Sequence, residues 1–210
     1  MKRWLSGILA ALVLVVGAAG LRAQSAEEFA GTVVRLQKAA VAMQDALPRP
    51  LKVGDKIYRG DVISTGRDSR IEIRMLDDSI MTLGERASFT VIDFIATGPR
   101  PTASMRVLEG AFAAVSGGIA KMADASMTIE THTATIGIRG TGFWGGMIDG
   151  DFQIALLTPG SIAVENKAGR VVLDKVGTGT LIKDGKTAPT DPKEWGGDKL
   201  DRAKNTVAFQ

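Results

Sequence analysis

The chain has 210 residues, 26 of them basic and 23 acidic, and it contains no cysteine. That absence excludes disulfides, thiolate metal sites, a cysteine nucleophile and a lipid-modified cysteine. Seven Phe, three Trp and one Tyr leave Val, Ile, Leu, Met and Ala to fill a core, and the length suffices for one good core with a small appendage.

Lys2 and Arg3 form a positive start, and Leu5 to Leu21 is uncharged and mostly apolar, with small residues at Gly17 to Gly20. A basic start, an apolar stretch and small residues before a polar segment describe a secretory signal peptide over residues 1–23, cleaved after Ala23, with Gly20 as the second choice. The alternative is an uncleaved inner-membrane anchor over residues 5–21, a run at the short edge of the roughly 17–25 residues that a spanning helix needs. Export places the protein in the periplasm or outside the cell. The segment holds Lys2, Arg3 and Arg22 and no acid, so its removal leaves 23 basic against 23 acidic residues. A balanced mature chain lacks the field that collects nucleic acid or anionic lipid. Membrane contact is expected only if the N-terminal segment stays attached.

Beyond the leader the pattern is that of strands. Gly54-Asp55-Lys56-Ile57 and Gly60-Asp61-Val62-Ile63-Ser64-Thr65-Gly66 set two Gly-Asp pairs six residues apart. In each, a turn leads into a strand, with the aspartate placed to cap backbone N–H groups. Arg70 to Met75 alternates strictly, with Ile71, Ile73 and Met75 on one face, the sign of a half-buried strand. Asp77-Asp78 makes a turn and Ile80 to Leu83 returns. Further strands are predicted at 88–94, 104–108, 111–115, 127–131, 152–157, 162–165, 171–173 and 180–182. Turn chemistry separates them at Glu109-Gly110, Asp149-Gly150, Pro159-Gly160, Asn166 to Gly169 and Asp184-Gly185. Many short strands with frequent turns predict an all-β fold, solenoid-like or sandwich-like. From residue 184 the chain turns polar, and 184–210 reads as a loosely packed tail in which Asp191-Pro192 and Asp198 could each start a short helix.

The stretch Ile136-Gly137-Ile138-Arg139-Gly140-Thr141-Gly142-Phe143 combines β-branched residues, glycines and one arginine. Each Gly costs a helix about 1 kcal/mol against Ala, so the mixture suits a strand that pivots where backbones approach closely. Taken in order, the Gly60-Asp61 to Thr65-Gly66 step, Leu76-Asp77-Asp78-Ser79, Leu83-Gly84, Leu108-Glu109-Gly110 and Ile136 to Phe143 resemble the FecR family domain. That domain is the periplasmic sensing module of ferric-citrate-type signalling. The resemblance covers residues 31–148, and residues 149–183 read as additional strands packing on or extending it. It implies a fold of stacked short strands, export, and a role in protein–protein signalling. Asp78 stands where the family usually has Gly, so a different turn type is expected there. Only Met1 to Trp4 precede the apolar run, and the expectation is a stand-alone envelope member without a cytoplasmic anti-sigma domain.

The motif residues Gly60, Asp61, Thr65, Gly66, Ile136, Gly137, Arg139, Gly140, Thr141 and Phe143 are read as structural. Arg139 has two readings, a partner or anion contact, or the favoured one, a guanidinium that satisfies buried carbonyls where strands diverge. In the favoured case Arg139→Ala would destabilise the domain. His132 is the only histidine, and with Glu130 alone near it no metal site is expected. Asp77, Asp78 and Glu85, like Asp149 and Asp151, fall in turns, where solvation explains them better than paired-carboxylate chemistry. Gly137, Gly140 and Gly142 form no phosphate cradle, since no helix follows. Trp144 has two readings, core packing or an exposed contact ring.

Together these residues predict a non-enzymatic envelope protein without cofactor, metal or catalytic residues. It is expected to bind another envelope protein, by strand addition or surface docking, in signal sensing or relay. The alternative is a carbohydrate- or cell-wall-binding or structural module, with Trp144, Phe143 or Trp195 as stacking platform.

Overall fold

The computed structural model describes residues 29–210, and the expected signal peptide and anchor lie outside the described residues. The strands in chain order are β1 (Phe29–Gln37), β2 (Ala40–Gln44), β3 (Leu47–Pro50), β4 (Lys56–Tyr58), β5 (Val62–Thr65), β6 (Arg70–Met75) and β7 (Ile80–Leu83). They continue with β8 (Ser88–Ile95), β9 (Thr102–Glu109), β10 (Phe112–Val115), β11 (Ser126–Glu130), β12 (Thr135–Arg139) and β13 (Gly142–Ile148). The last are β14 (Asp151–Leu156), β15 (Ser161–Asn166), β16 (Gly169–Leu173), β17 (Thr178–Ile182) and β18 (Lys193–Glu194), followed by one helix, α1 (Gly197–Asn205). A 3₁₀ turn (Ile119–Lys121) precedes β11.

These strands form two nine-stranded sheets. Sheet A has the order β18-β17-β14-β13-β10-β7-β6-β1-β4 and sheet B the order β16-β15-β12-β11-β9-β8-β5-β2-β3. The chain deals single strands or hairpins alternately to the two sheets, and both orders climb almost monotonically with sequence. At about 4.8 Å between strands, each sheet spans about 40 Å. The fold is thus all-β, a sandwich whose stacking advances along one axis as in a solenoid. Every ladder is antiparallel except β9 with β11, which run parallel, because β10 crosses to sheet A between them and the chain returns in the same direction.

Period-two alternation builds the core. Ile71, Ile73, Met81, Leu83, Phe112, Phe143 and Ile154 from sheet A face Ile63, Phe89, Val91, Met105, Ile129, Ile136 and Val164 from sheet B, each fully buried. Phe112 and Phe143 meet edge to face, ring centres 5.9 Å apart, a favoured aromatic geometry. Burial of each such side chain contributes roughly 1.5–3 kcal/mol.

The turns follow their chemistry. Gly54 and Gly60 have φ of +93° and +87°, as a type II turn requires at its third residue. Asp55 Oδ2 accepts from Lys52 N at 2.8 Å and Asp61 Oδ2 from Tyr58 N at 2.9 Å, so the two Gly-Asp steps repeat one geometry. Asp149 and Gly150 both have positive φ and close the β13–β14 hairpin as a type I′ pair. Asp78 takes φ +64° itself, between bonds from Asp78 N to Met75 O and from Met75 N to Ser79 O. This is the three-residue hairpin with a left-handed third position, so the aspartate adopts the conformation that glycine favours and pays a steric cost. The neighbouring Asp77 carboxylate accepts from Ser79 N, Ser79 Oγ and Ile119 N, which ties this hairpin to the 3₁₀ turn.

The segment 184–210, expected as a loosely packed tail, is instead a third layer. After Trp195 the chain forms α1, with Asp198 in its first turn, and crosses the outer face of sheet A from β17 to β1. Trp144, Ile148 and Ala155 on that face pack with Trp195, Ala203 and Val207. Gly179 and Gly146 lack the Cβ atoms that would collide with the Trp195 and Trp144 indoles, so each ring lies on a glycine floor. Trp144 Nε1 donates to Thr206 Oγ1 at 2.9 Å. Arg35 stacks on Phe209 at 3.9 Å, and Gln210 N donates to Gln37 Oε1 on β1. The segment is polar in composition because it has one face to bury and the rest is exposed.

Trp195→Ala is expected to cost about 3–5 kcal/mol and to red-shift the emission of Trp144, measured by denaturant melts followed by fluorescence. Retained stability with unshifted emission would deny the third layer. Asp78→Gly is expected to stabilise by about 0.5–1 kcal/mol, since glycine carries no penalty at positive φ, as a rise in Tm.

Candidate functional site

The motif Ile136 to Phe143 is a corner between sheets. β12 ends at Arg139 in sheet B and β13 begins at Gly142 in sheet A, and Gly140 at φ +62° turns the chain. Buried Thr141 donates from Oγ1 to Thr158 O at 2.7 Å, while Gly142 N donates to Thr158 Oγ1. Ile136, Ile138 and Phe143 point into the core. A second corner uses Thr65 in the same way. Its Oγ1 donates to Gly84 O at 2.7 Å and accepts from Ala87 N at 2.8 Å, and Gly66 N donates to Ala39 O. Asp61, 1% exposed, also accepts from Arg49 Nη2 at 2.8 Å.

Arg139 stands differently from its favoured reading. It is exposed and its side chain makes no hydrogen bond or ion pair among the described residues; the corner carbonyls are satisfied by threonines and backbone instead. An odd number of steps from Ile136 and Ile138 puts its side chain on the outer face. Gly137 shares that face. A Cβ there would meet nothing nearer than Ala163 O at 4.0 Å, and its φ is not positive, so neither packing nor backbone requires glycine. Thr128, Gly137, Ala163 and Val172 lie in one cross-strand row. They floor a shallow trough of about 180 Å³ with Arg139 and Arg170 at its margins.

That trough borders a free sheet edge. The sandwich has four edges, β3, β4, β16 and β18. β3 carries Pro48 and Pro50, β4 has three residues and β18 two. Proline and short length are means of blunting an edge. β16, Gly-Arg-Val-Val-Leu, has neither. Closure of the β15–β16 hairpin at Asn166 and Gly169 sets the ladder parity, so N–H and C=O of Arg170 and Val172 face away from β15. The loop 184–188 covers the start of β16, with Ala188 against Gly169 and Asn166 Nδ2 donating to Asp184 O and Thr187 O. Backbone N–H groups of Lys186 and Thr187 hold the Asp184 carboxyl below its ordinary value. The edge left open runs from Arg170 to Leu173, with Val172 45% exposed.

Other sequence candidates are placed elsewhere. Trp144 is fully buried, Phe143 likewise, and Trp195 is 8% exposed, so the proposed stacking platform for sugars does not exist on this surface. His132 is exposed just beyond β11, and Glu130 is engaged by Arg106 at 2.6 Å. Glu85 accepts from Asp68 N. Asp149 is paired by Arg202 at 2.7 Å, which holds its carboxyl below the ordinary value. Among the described residues no group of three His, Asp or Glu could hold a metal ion, and no helix is long and apolar enough to cross a membrane.

The fold and these corners define the class, an all-β sandwich of strand pairs dealt alternately to two sheets. Residues 61–162, just under half of the chain, match the family model described as FecR protein. The match opens at Asp61 and closes at Ile162, so the Gly54-Asp55 step lies outside it and β14 inside. Two crystal structures of a candidate anti-sigma factor from Parabacteroides distasonis resemble the chain at TM-score 0.51 and 14% identity. The likeness covers 67% of this chain and 62% of that one, and it shows the fold alone. No curated protein matches the sequence.

Thr65→Val removes both hydrogen bonds of a buried hydroxyl while keeping its volume, and is expected to cost about 1–3 kcal/mol in urea melts. Arg139→Ala is expected to change stability by less than about 0.5 kcal/mol; a large loss would restore the carbonyl-satisfying role.

Proposed function

We propose that this protein is a regulatory envelope component that relays a signal by binding another protein, without catalysis. The observation that carries the reading is the open β16 edge, just beyond the FecR-matched stretch, in a sandwich whose other edges are blunted. A partner strand added at β16 would satisfy the outward N–H and C=O groups of Arg170 and Val172. Its alternate side chains would lie along Arg170 and Val172, at the margin of the trough that Ala163 and Gly137 floor. The FecR match supports a signalling role.

Export follows from the basic, apolar and small-residue order of residues 1–23. Under this reading the partner sits in the same compartment, and the mature chain begins at Gln24, which N-terminal sequencing of envelope fractions would read directly.

The test places a photoactivatable residue at Ser161, beside the trough, and identifies attached proteins by mass spectrometry in living cells. One discrete envelope protein is expected. Val172→Pro should abolish its attachment with circular dichroism unchanged, because proline is tolerated where the edge N–H faces solvent. Attachment that survives Val172→Pro, or attachment to glycan alone, would remove strand addition as the mode of binding.

A further inference from the structure

The two sheets do not end together. Met147 and Phe152 pair across the β13–β14 hairpin and lie on the inner face by alternation with core residues Phe143 and Ile154. Yet Met147 is 59% exposed. Opposite them sheet B offers only the end of β9, at Val107 and Leu108, and the loop 131–133. Between these lies an open cavity of about 310 Å³, within the range of roughly 300–1,000 Å³ typical of small-ligand sites. Its walls are apolar, and methionine is the side chain that adapts best to varied apolar shapes.

The cavity has a polarity. Glu109 and His132 sit among its lining residues, both exposed and without an ion pair among the described residues. Glu109 is the one carboxylate among its lining residues. A cationic head group would therefore be drawn to one side, and an anionic one repelled.

We propose that this cavity binds a small hydrophobic amine. Its apolar body would complete the core end between Met147, Phe152 and Val107, and its ammonium would lie against the Glu109 carboxylate. This site is separate from the β16 edge and stands whether or not a protein docks there.

The test titrates the full chain, labelled at its methionine methyl groups and its backbone amides, with phenethylamine and, as an anion of similar shape, hydrocinnamate. The Met147 resonance is assigned with Met147→Leu. A saturable shift of the Met147 methyl and of the 131–133 amides is expected with the amine. Affinity should be about threefold weaker for hydrocinnamate, and for the amine with Glu109→Gln, an exposed substitution that keeps the cavity walls. Absence of saturation by about 10 mM amine, equal binding of hydrocinnamate, or an unchanged affinity in Glu109→Gln would each overturn the proposal.

Discussion

A chain that passes back and forth between two facing sheets must bury its corners, and a buried corner has no ladder to satisfy its backbone. Each unsatisfied group there would cost about 1–3 kcal/mol. The protein answers with threonine. Thr65 bridges Gly84 O and Ala87 N at one crossing, and Thr141 and Thr158 bond each other's side of another. A hydroxyl both donates and accepts, so one side chain closes two orphan groups. The alternation of inward residues fills the core only because these corners hold the sheets in register.

The same economy explains where the glycines fall. At the corner Gly140 supplies a left-handed turn, and Gly160 leaves space beside Gly140 and Thr141 that a Cβ would occupy. Gly146 and Gly179 serve a different purpose, as floors for two indoles under the C-terminal layer. Gly137 has neither role, and it sits on the outer face of sheet B, two strands in from the β16 edge. Sheet A therefore has its outer face covered by its own chain, while sheet B keeps a bare face and a bare edge. The asymmetry between the sheets leaves sheet B with the open surface on which the proposed binding rests.

Much of the fold was legible in the amino-acid order. Arg70–Met75 and Ile80–Leu83 are strands at the bounds their alternation predicts, and the Asp149-Gly150 and Gly-Asp turns form as their residue types require. The alternation is legible because it reflects a local property, one face wet and one dry. β1 to β3 gave a weaker signal, since a bulge between Val33 and Arg35 shifts the alternation of β1 and brings Leu36 to the core. The Ile136–Phe143 pivot was legible as a pivot, but not as a change of sheet.

The order of residues by itself determined an all-β chain without cysteine chemistry, its turns, and its resemblance to a FecR domain. Only the tertiary structure decided which exposed-looking groups are free. Trp144 reads as a candidate contact ring until a helix some 60 residues later covers it, and Arg139 reads as a buried ligand of carbonyls until Thr141 and, from the β14–β15 connection, Thr158 take that place. Burial of a side chain is set by what packs on it from distant parts of the chain, and no local pattern carries that information. The open edge at β16 is likewise a consequence of where the stacking stops, which is a property of the whole sandwich.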